Sequence, residues 1–363
     1  MVRAAWVTAV FGLDWPVSKA TSPAGILRQQ EELIEILDKL KAANFNTVLF
    51  QTRTRGDVLY KSSIEPYNSI LTGKVDGDPG YDTLVFAVRE WHMRGMECHA
   101  WMVALPLGNK KHVAKLGNKS VTKKRKEICI PYKNEYFLNP GHPSTKEYLM
   151  KLEREVVTRY DVDGVHIDDN FYPTTEAYFD SIAFNASSYS SLSQFRLDNC
   201  SRMVSGMYNA VKSHNPTALF GVSAQGNVTN NETQLYADVE KWSKEDGYVD
   251  YMAPQIYYGF DNGGQPFEQV VEQWDKMLAG TGKSLIPGLA VYKIGTEDEW
   301  AGSGRYEWQN DKEIIKRQIL KSQKTSNYGG VILYSYQFIF EPDSNVKTAV
   351  NKEIAAFKPL LTQ

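Results

Sequence analysis

The chain has 363 residues with 41 basic and 43 acidic side chains, a formal charge of −2, and 42% hydrophobic and 12% aromatic residues. This composition rules out disordered and collagen-like chains, and a near-neutral balance without a block of about five like charges argues against nucleic-acid or anionic-membrane partners. Length over roughly 150 residues per domain suggests two domains, but barrels run longer as one unit.

Short apolar, β-branched or aromatic runs recur along the chain, each followed by a stretch with helical periodicity. In chain order the runs are Arg3 to Val10, Asn46 to Arg53, Met96 to Val103, Val162 to Asp169, Ala218 to Gly226, Val249 to Tyr257, Ser284 to Tyr292 and Gly329 to Gln337. The helices expected between them are Ala24 to Ala43, Tyr81 to Arg94, Ser144 to Arg159, Ser191 to His214, Thr233 to Lys244, Pro266 to Ala279, Asp311 to Thr325 and Asn345 to Phe357. In the first, Ile26, Leu33, Ile34, Leu37 and Leu40 form an apolar stripe at helical spacing, and Ser22-Pro23 supplies its start. Strand then helix, repeated in this way, predicts a single-domain (β/α)8 barrel over residues 1–363. The alternative, a doubly wound open sheet, would carry a glycine-rich first turn, and Phe11-Gly12-Leu13-Asp14 is not one. The longest inserts are expected after strands three, four and seven, over Leu105 to Pro143, Asn170 to Ser190 and Lys293 to Gln309.

No apolar stretch reaches the roughly 18 residues that span a bilayer. Met1 to Trp6 enter a strand-like run at once, without the ordered features of an export signal. Cys98, Cys129 and Cys200 have no close partners in sequence, so neither a disulfide framework nor a zinc cluster is indicated. Ala279 to Ser284 resembles the tail of a phosphate loop but lacks the earlier glycine and enters a strand, so it reads as a turn. The histidines lack metal-ligand spacing and no Gly-x-Ser-x-Gly elbow occurs, so no metal, cofactor or serine nucleophile is expected.

In such a barrel the active site lies at the C-terminal strand ends. Those ends are polar: Gln51-Thr52-Arg53 with Asp57, His99 and Trp101, His166 to Asp169, Ser223 and Gln225, Gln255 and Tyr257, Tyr292, then Tyr334, Tyr336 and Gln337. Alternation along strand four puts His166 and Asp168 toward the barrel axis, with Ile167 and Asp169 on the other face. Asp168 is therefore the foremost catalytic candidate. Asp169 caps a loop, supports a partner or donates a proton, while His99 and His166 hydrogen-bond at the pocket floor. Glycoside hydrolysis commonly needs two carboxyl groups, and Asp14, Asp57, Glu176, Asp261, Glu341 and Asp169 are the candidate partners; a substrate acetamido group acting as nucleophile would remove that need.

The residues also resemble a family. Arg3-Ala4-Ala5-Trp6-Val7 with Asp14-Trp15-Pro16, Phe50-Gln51-Thr52-Arg53 with Asp57-Val58-Leu59-Tyr60, Tyr160 through Pro173, Asp250 through Tyr257 and Gly288 through Lys293 are similar to blocks of the bacterial glycosyl-hydrolase-like family 10. The resemblance implies a (β/α)8 barrel acting on bacterial glycans, including peptidoglycan glycan strands. It also implies a periplasmic or extracellular location, with lipid anchoring through a segment outside this chain as one form. Thr54, Asn170 and Val103 to Pro106 depart from the family pattern at the strand mouths, which leaves the substrate range open. On this reading Asp168 stabilises or attacks the anomeric carbon, a second carboxyl group donates the proton, and Gln51, Arg53, Asp57, Gln255 and Tyr257 hold an oligo- or polysaccharide. Trp15, Trp101, Tyr172, Tyr257, Tyr292 and Tyr336 would stack on sugar faces, and Tyr334 would pack in the core. The rivals are a barrel that binds carbohydrate without turnover and a metal-dependent deacetylase.

Overall fold

Strands joined by helical crossovers pair in parallel, and the apolar runs do so here. The computed structural model describes residues 1–362. Its strands are β1 (Val2–Val7), β2 (Thr47–Arg53), β3 (Glu97–Met102), β4 (Pro106–Asn109), β5 (Cys129–Tyr132), β6 (Glu135–Leu138), β7 (Gly164–Ile167), β8 (Leu219–Val222), β9 (Tyr251–Met252), β10 (Ser284–Leu285), β11 (Gly288–Ala290) and β12 (Gly330–Tyr334). The large sheet runs β10-β9-β8-β7-β3-β2-β1-β12-β11, and β4-β6-β5 form a small antiparallel sheet in the stretch after β3. Its two terminal strands are halves of one run parted by Ile286-Pro287: β10 pairs with β9, and β11 pairs with β12. The Gly288 N–H also donates to the Pro254 carbonyl at 2.8 Å and the Gly329 N–H to the Leu285 carbonyl at 2.8 Å, so the sheet closes on itself. The result is a (β/α)8 barrel with a broken seventh strand.

Helices cover the outside. The helix Pro23–Ala42 starts where the Ser22 hydroxyl accepts the Gly25 N–H at 3.1 Å and proline takes the first turn; Leu33, Ile36, Leu37 and Leu40 are its buried face. The single helix expected over Thr233 to Lys244 is instead two, Val228–Thr233 and Val239–Lys244. Tyr236 between them adopts φ 54°, which ends one helix before Asp238 caps the next. No helix among the described residues is long and apolar enough to cross a membrane.

Inside the barrel Ala4, Trp6, Leu49, Trp101, Tyr251, Ala253 and Ile332 pack together. Large rings fit because two strands present glycine to them. A Cβ on Gly164 would stand 2.7 Å from the His99 imidazole, and one on Gly221 would stand 1.9 Å from the Tyr251 ring. Gly221→Ala should therefore cost about 2 kcal/mol through overpacking. A urea midpoint equal to that of the native chain would show that the ring can move aside.

Candidate active site

β7 ends at Ile167, so Asp168 and Asp169 lie beyond the ladder and strict alternation no longer governs them. Asp168, 7% exposed, accepts the Trp101 indole N–H on Oδ2 at 3.1 Å and the Asn170 N–H on Oδ1 at 3.1 Å. Asp169 turns toward the next two strands, where Oδ2 accepts from Gln225 Nε2 at 3.3 Å and Oδ1 from Gln255 Nε2 at 3.1 Å. The expectation that Asp169 would share the face of Ile167 is thus corrected: both carboxyl groups face the barrel mouth. Burial raises the Asp168 pKa to about 6, and the charge of Asp169 acts in the same direction. Burial raises Asp169 as well, while the Gln255 and Gln225 amides favour its ionised form. Neighbouring carboxyl groups cannot both ionise freely, so the pair retains one proton to higher pH than an isolated aspartate would, and Asp168 carries it.

Half-buried tyrosines form a wall beside this pair. The Tyr257 ring lies 5.7 Å from Tyr292 and 6.1 Å from Tyr334, with Trp6 5.8 Å beneath Tyr334. Burial holds the Tyr292 and Tyr334 phenols up at about 12, and Tyr257 well above its usual value; the charges of Asp168 and Asp169 add to the Tyr257 and Tyr334 shifts. The phenols are therefore neutral donors. Tyr334, expected as core packing, stands in the mouth as well. Asp14 is close enough for its charge to act on Tyr334, but its own oxygens accept from Thr8 N at 2.7 Å, Thr8 Oγ1 at 2.5 Å, Gln337 N at 2.7 Å and Ser335 Oγ at 3.3 Å. It ties the end of β1 to the end of β12. Glu176 pairs with Lys133 and Glu341 with Lys39 on the surface, and Asp261 is exposed. Asp169 is the candidate partner that the fold brings to Asp168.

The remaining expected site residues separate into those near the mouth and those beneath or behind it. Gln255, Tyr257 and Tyr292 line the mouth. Trp101 is buried, and its indole edge orients Asp168 instead of offering a face to a sugar. His99 and His166 lie inside the barrel, each with Nδ1 3.0 Å from the Tyr251 hydroxyl; burial lowers His99 to about 4 and His166 further, so both are neutral. Gln51 fixes the loop after β1, its side-chain oxygen accepting the Ala9 and Val10 N–H groups at 2.9 and 2.8 Å.

Arg53 is corrected from substrate holder to buried brace. The register of β2 against β3 shifts between Gln51 and Arg53, and this irregularity turns Arg53 away from the mouth onto Glu65, at 2.7 Å, and the Val103 and Ala104 carbonyls. Asp57 accepts from Thr54 Oγ1 at 2.5 Å and Asn68 Nδ2 at 3.1 Å and so closes its own loop. Trp15 is corrected likewise: it is buried, donates to the Gln29 carbonyl at 2.9 Å and packs on Phe50. Tyr172 is buried against Tyr236 and the Arg196 guanidinium. Tyr336 sits in the helix Tyr336–Phe340 with its hydroxyl accepting from Lys39. These rings serve the layer between barrel and helices. Gln225 and Tyr334, polar strand-end groups given no catalytic or binding role above, prove to be part of the mouth.

The family model described as Glycosyl hydrolase-like 10 matches residues 1–302. The chain is 28% identical over 386 residues to glycosyl hydrolase YngK of Bacillus subtilis (strain 168), spanning 100% of this chain and 73% of that protein. It is 28% identical over 382 residues to glycosyl hydrolase DigH of Escherichia coli (strain K12), spanning 94% and 84%. In fold it is similar to the PgaB (BpsB) glycoside hydrolase domain of Bordetella bronchiseptica, with TM-score 0.59, 14% identity and coverage of 97% and 99%. It is also similar to the β-amylase catalytic domain of Paenibacillus polymyxa, with TM-score 0.62, 10% identity and coverage of 99% and 98%. With the family model matched across residues 1–302, the chain belongs to the glycosyl hydrolase-like 10 family and is a glycoside hydrolase.

Proposed function

We propose that this enzyme cleaves O-glycosidic bonds within peptidoglycan glycan strands, with Asp168 as proton donor and Asp169 as the ionised partner. The observation that carries the reading is the pair itself: adjacent carboxyl groups at the end of β7, with Asp168 protonated up to about 6 and Asp169 facing two amide donors. This order of roles reverses the one expected from sequence, because the more buried carboxyl group holds the proton. Since Asp14 is fully engaged between two loops, the nucleophile is best supplied by the substrate. Sugars of these strands carry a 2-acetamido group whose carbonyl oxygen can attack the anomeric carbon. In that step the C1–O bond breaks, the Asp168 proton passes to the leaving oxygen, and Asp169 accepts the acetamido N–H as the oxazolinium ring forms. Water then opens the ring, giving its proton to ionised Asp168. Tyr257, Tyr292 and Tyr334 would supply hydrogen bonds and apolar area to the pyranose. Such a substrate places the protein outside the cytoplasmic membrane, in the periplasm or beyond it.

The direct experiment incubates the protein with purified glycan strands, with and without stem peptides, and reads the product masses. Cleavage of other glycans but not of these strands would reject the substrate. The pH profile tests the roles. Because Asp168 must be protonated, kcat/KM should fall above about pH 6, the value of its carboxyl group. Asp169→Asn removes the like charge that helps raise Asp168, so the residual activity should lose its proton at lower pH and the falling limb should move down. An unmoved limb would mean that another group donates the proton.

A further inference from the structure

We infer that a groove beside the mouth, between the loops that follow β1 and β2, binds a carboxylate carried by the glycan; the inference rests on the hydrolase reading and names a feature of its substrate. The groove has a volume of about 570 Å³, and its walls include Phe11, Lys19, Thr54, Arg55, Asn68 and His112 but no aspartate or glutamate. Its position is fixed to the site, since the Gln51 side chain at the end of β2 anchors Ala9 and Val10 of the first loop.

Three observations in it call for a ligand. The Arg55 guanidinium lies 4.2 Å from the centre of the Phe11 ring and, among the described residues, has no carboxylate partner within the 4.0 Å reach of an ion pair, its neighbour Asp57 being turned to Thr54 and Asn68 on one oxygen and to the His112 imidazole, 3.4 Å away, on the other. Stacking on a ring pins the planar guanidinium yet leaves its N–H edge free, the arrangement that suits two parallel bonds to a carboxylate. Phe11 itself is 85% exposed and holds φ 59°, ψ 8°, a left-handed conformation that is costly for an aromatic residue. Burial of the ring does not explain that cost, whereas presenting Arg55 on one side and a bare aromatic face to a pyranose on the other does. Lys19, whose ammonium donates to the Ile70 carbonyl at 2.8 Å, adds a second cation along the groove.

The carboxylate has two possible sources: the sugar units, exposed where stem peptides have been removed, or the peptides themselves. The test uses the full chain with Asp168→Asn to stop turnover and titrates it calorimetrically with soluble peptide-free strands, before and after their carboxyl groups are converted to amides. Acidic strands should bind about tenfold tighter than amidated ones, and Arg55→Met should erase the difference. Phe11→Gly suits the left-handed backbone, so its melting temperature should not fall, yet it should weaken binding of acidic strands several-fold. If the carboxylate dependence appears only with strands that keep their peptides, the groove reads the peptide. Equal binding of acidic and amidated strands of both kinds, or a difference that survives Arg55→Met, overturns the inference. In that event, cleavage of amidated strands by the native chain leaves the hydrolase reading standing, and absence of both binding and cleavage overturns the two together.

Discussion

Asp168→Asn is expected to lower kcat/KM on glycan strands by about a thousandfold while leaving the protein at least as stable as the native chain at alkaline pH. Asparagine keeps the shape of the side chain but only one oxygen, so it accepts the Trp101 indole N–H or the Asn170 N–H and not both, and it has no acidic proton to give. The stability half of the expectation follows from the direction of the shift. The folded state holds the Asp168 proton up to about 6, above the ordinary value of 3.8, so native stability falls as pH rises from about 4 through 6 and the full cost of ionising a buried group is present above that. The variant escapes that cost but leaves one of the two N–H donors unpaired at every pH, so it should be less stable than the native chain by about 1 kcal/mol near pH 4 and gain on it by roughly 2 kcal/mol or more as the pH rises to 8. Melting temperatures across that range, with single-substrate kinetics, check both halves. A variant that cleaves normally would remove Asp168 from the chemistry, and one destabilised equally at every pH would make it a structural residue.

Glu65→Ala should be the most destabilising of the substitutions considered, by about 3–5 kcal/mol. Glu65 and Arg53 are each 1% exposed in their side chains, and Glu65 also accepts the Tyr148 hydroxyl at 2.8 Å. Removing the carboxylate leaves a guanidinium charge in the layer between barrel and helices with two carbonyls bonded to it and the buried Glu153 carboxyl group near enough to feel its charge. Replacing both members, Arg53→Met with Glu65→Leu, should recover a large part of the loss because no charge is then left buried. The exposed pair of Arg28 and Glu35 provides the contrast: Glu35→Ala should change stability by less than about 0.5 kcal/mol. Urea denaturation of the three variants decides the matter, and a loss at Glu65 no larger than that at Glu35 would contradict the buried-brace assignment.

The barrel was legible in the sequence because apolar runs and amphipathic helices differ in period, and each run marks a strand within a few residues. Asp168 was legible because it closes such a run where active sites of this fold lie. What escaped was orientation beyond the last ladder bond. Asp169 faces the mouth because β7 stops before it, Arg53 turns inward because β2 is irregular after Gln51, and Tyr336 belongs to a helix that begins as soon as β12 ends. Trp15 and Tyr172 escaped for another reason. Large rings near strand ends fill the space under the helices as readily as they line a pocket, and sequence spacing does not separate the two uses.

The hydroxyl of Tyr251 at the barrel floor carries one hydrogen and faces two imidazoles, the Nδ1 atoms of His99 and His166, each at 3.0 Å. For that hydrogen to find an acceptor, one Nδ1 must be bare; the other, to use the oxygen, must bear hydrogen. The two rings are therefore opposite tautomers, and exchanging their identities requires a rearrangement of three protons. His99 Nε2 lies 3.9 Å from Glu97 at the start of β3, so the link this relay has runs to the end of the barrel away from the mouth, which leaves acid–base traffic at the substrate to the carboxyl pair above it.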